Sequence, residues 1–268
     1  MERFVAAVAQ MASGADRAAN VERAAALVRD AAGRGARLVV LPEVFAWRGT
    51  DANDPGAAEP IPGPTTEAMC ALARELRLVL CMGSLLETVP GDVRRYNTSC
   101  VVDPGGTILA RYRKIHLFDV ALPGRVAVQE SATRLAGTEP MVARTPLATL
   151  GCSICYDLRF PELYRRLAHD GAEVLLVPSA FTAPTGAAHW EVLCRARAVE
   201  NQCYLLAANQ CGPSPYGHRD YGNSMIVDPW GTVRARAGDE EGVVTAELDG
   251  VELARVRREL PALEHRRL

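Results

Sequence analysis

No stretch of this chain approaches the apolar length of a membrane span, and no excess of positive charge marks a nucleic-acid surface. The formal net charge is -2. Arg255, Arg257, Arg258, Arg266 and Arg267 make the C-terminus locally basic, which reads as a solvated or partner-facing surface. Met1-Glu2-Arg3 runs directly into a strand-like segment without a signal-peptide apolar region, which predicts a cytoplasmic protein. A second CxxC is absent, as is any HxxxH, so Cys152-Ser153-Ile154-Cys155 lacks the further ligands a zinc site would need. Cys70, Cys81, Cys100, Cys152, Cys155, Cys194, Cys203 and Cys211 are scattered through mostly apolar runs, as reduced core residues are and a disulfide framework is not. What is present is an ordinary globular composition. The 268 residues are 49% apolar and 23% charged, enough for one domain over 1–268 with a full core.

Short β-like runs alternate with helical patterns, which indicates an α/β layer fold. Strands are predicted over Phe4-Gln10, Arg37-Glu43 and Val79-Glu87, with helices near Asp16-Arg34 and Thr65-Arg77. Asn97-Asp103 and Thr107-Lys114 flank Pro104-Gly105-Gly106, a hairpin turn. The series then begins again. Strands are expected over Leu147-Cys155, Glu173-Pro178 and Cys203-Gln210, and helices over Pro161-Asp170, Ala188-Asn201 and Val251-Leu260, with a second hairpin at Asp228-Pro229-Trp230-Gly231.

The two halves also match residue by residue. Arg37-Leu-Val-Val-Leu-Pro-Glu-Val-Phe45 aligns with Glu173-Val-Leu-Leu-Val-Pro-Ser-Ala-Phe181, and Val101-Val-Asp-Pro-Gly-Gly-Thr107 aligns with Ile226-Val-Asp-Pro-Trp-Gly-Thr232. Two matches in the same order imply an internal duplication. Each half would supply a mixed sheet covered by helices on one face, and the two sheets together give a four-layer αββα sandwich with pseudo-two-fold symmetry. Ligands in such sheets bind at strand C-terminal ends, where Glu43 and Cys155 both fall.

Cys155 ends an apolar run just before Leu-Arg-Phe-Pro-Glu opens a helix. A helix N-terminus would favour thiolate over thiol and could hold an oxyanion. A buried, inert thiol is the commoner fate of a cysteine. Glu43, after an apolar run, would be expensive to bury unpaired, although a loop Glu reads the same way. Lys114 lies in the basic and aromatic patch Tyr112-Arg-Lys-Ile-His-Leu-Phe118, which could equally be a solvated strand edge. Together they supply a nucleophile, a base for its proton and a cation for an oxyanion.

These segments resemble the nitrilase-like carbon-nitrogen hydrolase superfamily, in Leu41-Pro-Glu-Val-Phe45, Tyr112-Arg-Lys-Ile-His-Leu-Phe118 and Gly151-Cys-Ser-Ile-Cys-Tyr-Asp-Leu-Arg-Phe-Pro-Glu162. The likeness covers nearly the whole chain. It implies an αββα sandwich and hydrolysis of a non-peptide C–N bond through a thioester, with no metal or organic cofactor. By position, Glu43 would be the general base, Lys114 the oxyanion stabiliser, Cys155 the nucleophile and the Tyr156 N–H a second oxyanion donor. Glu130, in Val128-Gln129-Glu130-Ser131, matches the glutamate that orients lysine and substrate.

The run Ser179-Ala-Phe-Thr-Ala-Pro-Thr-Gly-Ala-Ala-His-Trp-Glu191 is similar to the omega-amidase and deaminated glutathione amidase branch. There Arg159 would pair with a substrate carboxylate, and Phe181 and Thr185 would line the acyl pocket. Independently, a lone arginine four residues after the nucleophile can offer a bidentate fork to a carboxylate, or form a helix-start ion pair with Glu162. Asp220-Tyr-Gly-Asn-Ser-Met-Ile-Val-Asp-Pro-Trp-Gly231 and the ending Leu263-Glu-His-Arg-Arg267 look closer to the deaminated glutathione amidases, apart from Asn223, where a His is expected, and the Gly212-Pro-Ser-Pro-Tyr-Gly217 loop. The expected substrate is deaminated glutathione, giving 2-oxoglutarate and Cys-Gly. The alternatives are an omega-amidase acting on 2-oxoglutaramate, a catalytically inactive interaction module, or thiol exchange through Cys152 and Cys155. Partners are expected to be a small-molecule amide and further copies of the chain, as a homodimer or higher homo-oligomer.

Overall fold

Consecutive strand residues that are all buried require cover on both faces. In the computed structural model, which describes residues 1–50, 57–124 and 126–267, Ala6, Val8, Leu38 and Val40 belong to one core while their neighbours Ala7, Ala9, Val39 and Leu41 belong to a second. The strands are β1 (Phe4–Gln10), β2 (Ala36–Val40), β3 (Val79–Cys81), β4 (Leu85–Val89), β5 (Asp92–Val102), β6 (Ile108–Arg113), β7 (Asp119–Leu122), β8 (Val126–Gln129) and β9 (Arg134–Leu135) in the first half. The second half has β10 (Met141–Arg144), β11 (Thr149–Cys152), β12 (Val174–Leu176), β13 (Tyr204–Ala207), β14 (Cys211–Pro213), β15 (Arg219–Tyr221), β16 (Met225–Val227), β17 (Val233–Arg236) and β18 (Gly242–Leu248). The helices are α1 (Arg17–Gly33), α2 (Pro64–Leu76), α3 (Pro161–His169), α4 (Ala183–Asn201) and α5 (Gly250–Glu259).

One sheet runs β18-β1-β2-β3-β5, with β4, β6 and β9 attached to the long β5, and the other runs β10-β11-β12-β13-β16-β17. Their pairing is the same in kind. A parallel trio, β1-β2-β3 or β11-β12-β13, is flanked by an antiparallel strand on one side and an antiparallel hairpin on the other. The two hairpin turns are built alike: Asp103 N donates to Thr107 O at 2.9 Å and Asp228 N to Thr232 O at 2.9 Å. In each, the aspartate Oδ1 also accepts two backbone N–H bonds within the turn. Helices α1 and α2 pack on the first sheet, α3 and α4 on the second, and the sheets pack on each other, so the layers are αββα as the duplication implies.

Several boundaries differ from the sequence reading: β2 stops at Val40, β5 begins at Asp92, β12 and β13 stop at Leu176 and Ala207, and three further differences follow. Val79-Glu87 is two strands, because Gly83 turns at φ 61° with its α-carbon so close to the Leu41-Pro42 carbonyls that a Cβ would lie 2.0 Å from Pro42 O. Helix α4 starts at Ala183, five residues early, with Pro184 in its first turn where no N–H is needed. The strand ending in the CxxC stops at Cys152. Arg257, grouped with the surface arginines, donates inward to Gln202 O and Ala172 O at 3.0 and 2.9 Å. No helix among the described residues is long and apolar enough to cross a membrane.

Candidate active site

After β11 the chain stays tied to the neighbouring strand exit: Ser153 N donates to Leu176 O at 3.2 Å and Cys155 N to Pro178 O at 2.8 Å. Cys155 then takes φ 47° and opens a single 3₁₀ turn, Cys155–Arg159. A non-glycine residue in this left-handed region costs about 1–3 kcal/mol, so the surroundings must hold it. Asp157 is the clamp. Fully buried, it accepts Ile154 N at 2.8 Å, Tyr112 Oη at 2.7 Å and His116 N at 3.0 Å, and contacts His116 Nδ1 at 2.7 Å. The Cys155 turn is thereby bolted to the segment at the end of β6 that carries Lys114.

Lys114 is 2% exposed, and its Nζ sits between two carboxylates, 2.9 Å from Glu43 Oε1 and 2.9 Å from Glu130 Oε2. Glu43 lies past the end of β2, and its other oxygen accepts Ala180 N at 2.9 Å from the equivalent loop of the second half. Asn97 on β5 donates Nδ2 to Glu43 Oε1 at 2.8 Å, and its carbonyl accepts Lys114 N at 2.8 Å. Glu130 is fixed in turn by Phe118 N at 2.7 Å. Each buried charge thus has a paired or hydrogen-bonded partner, the condition under which burial is tolerated.

The electrostatics separate the roles available to these groups. Burial works against the Lys114 charge, but the Glu130 and Glu43 carboxylates outweigh it and hold the ammonium well above its ordinary pKa. Lys114 is therefore a fixed cation and not a base. Burial, then the Glu43 charge, push the Cys155 thiol well above its ordinary value, against opposing pulls from Lys114 and the Ala180 N–H. This corrects the expectation of a thiolate stabilised by a helix N-terminus. One short 3₁₀ turn does not offset desolvation, so the surroundings favour the thiol over the thiolate.

Glu43, Lys114, Glu130, Cys155, Tyr156, Arg159, Phe181 and Thr185 all line one cavity of ≈ 440 Å³. Among the described residues the Tyr156 N–H meets no acceptor, which leaves it available at the start of the 3₁₀ turn. The Arg159 guanidinium has no ion pair with Glu162; it lies 5.2 Å from the centre of the Phe181 ring, 5.8 Å from that of Tyr156, and 3.3 Å from His189 Nδ1. The Gly212-Gly217 loop reaches the cavity through Tyr216, with His218 beside it. Asn223 does not line it; its Oδ1 holds Arg236 at 2.9 and 3.1 Å. Cys152 is a buried thiol of the inter-sheet core, its pKa raised by burial and by neighbouring Cys81 and Cys100, and it does not line the cavity.

Sequence reasoning missed Asn97 and the role of Asp157. A signal existed for Asn97, an amide at the head of a predicted strand that runs through Thr98 and Ser99 into apolar Cys100-Val101-Val102. Asp157 stood inside a quoted motif together with Ile154, but Tyr112 and His116 belong to another segment 45 and 41 residues away, and nothing in the spacing announces that the two meet.

The pattern of the carbon-nitrogen hydrolase family matches residues 5–258. The chain is 41% identical over 269 residues to a protein named deaminated glutathione amidase from Synechocystis sp., covering 99% of each chain. To the human omega-amidase NIT2 it is 40% identical over 267 residues, covering 100% of this chain and 96% of the other. Among solved structures, Saccharomyces cerevisiae Nit3, described as a member of branch 10 of the nitrilase superfamily, superposes with a TM-score of 0.90 at 32% identity, over 100% of this chain and 97% of that one. Fold, matched pattern and full-length similarity agree: the chain belongs to the carbon-nitrogen hydrolase family.

Proposed function

We propose that the protein is a cysteine-dependent amidase that cleaves deaminated glutathione to 2-oxoglutarate and Cys-Gly. The observation that carries the mechanism is Lys114 locked between Glu43 and Glu130 on the wall of the cavity that also holds Cys155. Glu43 takes the thiol proton as Sγ attacks the amide carbon. The oxyanion is held by Lys114 Nζ and the Tyr156 N–H. Glu43 returns the proton to the departing amine, leaving a thioester on Cys155, then deprotonates the water that releases 2-oxoglutarate. Glu130 positions Lys114, and Asn97 and the Ala180 N–H keep Glu43 aimed.

Substrate choice rests on the acyl end of the cavity. Arg159, free of any carboxylate among the described residues and backed by Phe181 and Thr185, fits the far carboxylate of a 2-oxoglutaryl group. An omega-amidase acting on 2-oxoglutaramate would use the same end, and the human omega-amidase is almost as similar as the cyanobacterial protein. We place the enzyme in the cytoplasm and as a homodimer or larger homo-oligomer. Val192 and Val199 on α4, with Trp230 and Leu260, are the exposed apolar residues that support a self-association face. A panel of deaminated glutathione, 2-oxoglutaramate, simple nitriles and N-carbamoyl amino acids, with amine and carboxylate products both quantified, tests the assignment. Deaminated glutathione should lead in kcat/KM; a large preference for 2-oxoglutaramate would make the protein an omega-amidase.

A further inference from the structure

Most inward-reaching arginines of the first half are neutralised. Arg113 is paired with Glu87 at 2.6 Å, Arg17 with Glu59 at 2.9 Å, and Arg48 makes an ion pair with Asp220. Two are not. Arg95 on β5 and Arg134 on β9 occupy paired positions of neighbouring parallel strands, with Arg95 N donating to Thr133 O at 3.1 Å. Among the described residues neither has a carboxylate within ion-pair distance. The Arg95 Nε is buried without a hydrogen-bond partner, and Arg134 reaches only the adjacent Thr133 O, at 3.2 Å. Two like charges side by side without a counter-ion are unfavourable unless something else supplies one.

Arg134 lines the catalytic cavity, whereas Arg95 stands behind it. It stands four residues beyond Glu130, whose carboxylate is already taken by Lys114 and Phe118 N. Burial pushes the Arg134 pKa down, countered by Tyr216 and Glu130. Arg159 enters the same cavity from the other half, over the Tyr156 and Phe181 rings. The cavity therefore has one uncompensated guanidinium from each half of the sandwich.

We infer that Arg134, with Arg95 beside it, receives the carboxylate of the departing amine, so that the enzyme selects amides with one carboxylate on the acyl group and a second on the leaving group. This rests on the amidase reading above and deepens it. The Arg159 contact is common to both candidate substrates, whereas the Arg134 contact exists only when the leaving amine is a peptide-like acid. Ammonia, released from 2-oxoglutaramate, cannot make it.

The test compares deaminated glutathione, the same molecule with its C-terminal carboxylate converted to an amide, and 2-oxoglutaramate, on the wild-type enzyme, Arg134→Gln and Arg134→Lys. In the wild type the C-terminal amide should raise KM about tenfold or more, the scale of a lost charge-assisted hydrogen bond, with little change in kcat. Arg134→Gln should lower the ratio of kcat/KM for deaminated glutathione over 2-oxoglutaramate by a similar factor and abolish discrimination between acid and amide. Arg134→Lys should recover part of it. Equal losses on all three substrates would show a merely structural arginine, and an unchanged ratio would show no contact; either overturns the inference. If the wild type prefers 2-oxoglutaramate, the substrate assignment fails without any variant. If it prefers deaminated glutathione yet ignores the C-terminal charge, the amidase reading stands and only the Arg134 inference falls.

Discussion

The loops after β2 and β12 are two copies of one turn with opposite uses. Leu41-Pro42-Glu43-Val44-Phe45 and Val177-Pro178-Ser179-Ala180-Phe181 follow matching strands, and both are stitched to the next strand exit: Ser84 N donates to Pro42 O at 3.3 Å, and Ser179 N to Ala208 O at 2.7 Å. In the first copy the third residue is the carboxylate beside Lys114; in the second it is Ser179, fully buried, its Oγ donating to Val177 O at 3.3 Å. The second copy contributes through its backbone instead. Ala180 N holds Glu43, Pro178 O holds Cys155 N, and Phe181 turns to the cavity while Phe45 stays in the helix-side core. Duplication supplied two equivalent backbones facing each other, and divergence at a few side chains left one carrying the carboxylate we propose as the acid-base and the other holding it.

Breaking that asymmetry should have unequal consequences. Glu43→Gln keeps the size and the Ala180 contact but removes the base, so kcat should fall about 10²–10⁴-fold in steady-state assays. Ser179→Ala, at the matching position, should change kcat by less than about threefold, since it removes one weak, local hydrogen bond. Equal damage from the two would mean that the copies share the chemistry. Asp157→Asn tests the clamp between the halves. Losing a charged acceptor for Ile154 N and His116 N should cost about 1–3 kcal/mol in denaturant unfolding and lower kcat with it. An unaltered kcat would show that the Cys155 turn keeps its shape unaided.

The smallest effect concerns a property the halves share. Burial raises the thiols of Cys81 and Cys203 to about 11 and those of Cys100 and Cys211 to about 12. A folded-state pKa above the unfolded value of 9 means the unfolded chain loses these protons first. Their contribution is fully present below pH 9 and is lost as the pH rises through 11–12. Under reducing conditions the melting temperature should therefore decline from pH 9 to 11, as one transition in which both halves take part. A melting temperature independent of pH over that range would contradict the buried-thiol account.

The sequence made the layers legible because repeated apolar strands and two matched segments carry topology in their order. It made Glu43, Lys114 and Cys155 legible because each sits in a short motif at a strand exit. Asn97 and Asp157 were hidden for the opposite reason: their work depends on which strands lie side by side, a long-range fact. Arg134 lies outside every motif singled out in the sequence, and only its pairing with β5 sets it beside Arg95 and on the cavity wall. The thiolate expectation failed because local helix polarity is visible in sequence, whereas the desolvation that outweighs it is a property of the packed molecule.

The central claim is that Cys155, deprotonated by Glu43, forms a thioester. The direct measurement is rapid-quench mass spectrometry of the enzyme mixed with deaminated glutathione, with peptide mapping of any adduct. The account expects a 2-oxoglutaryl group on Cys155, formed together with Cys-Gly, greatly slowed in Glu43→Gln and absent in Cys155→Ser, while Cys152→Ser still acylates. An adduct on Cys152, or turnover that persists in Cys155→Ser, would contradict it.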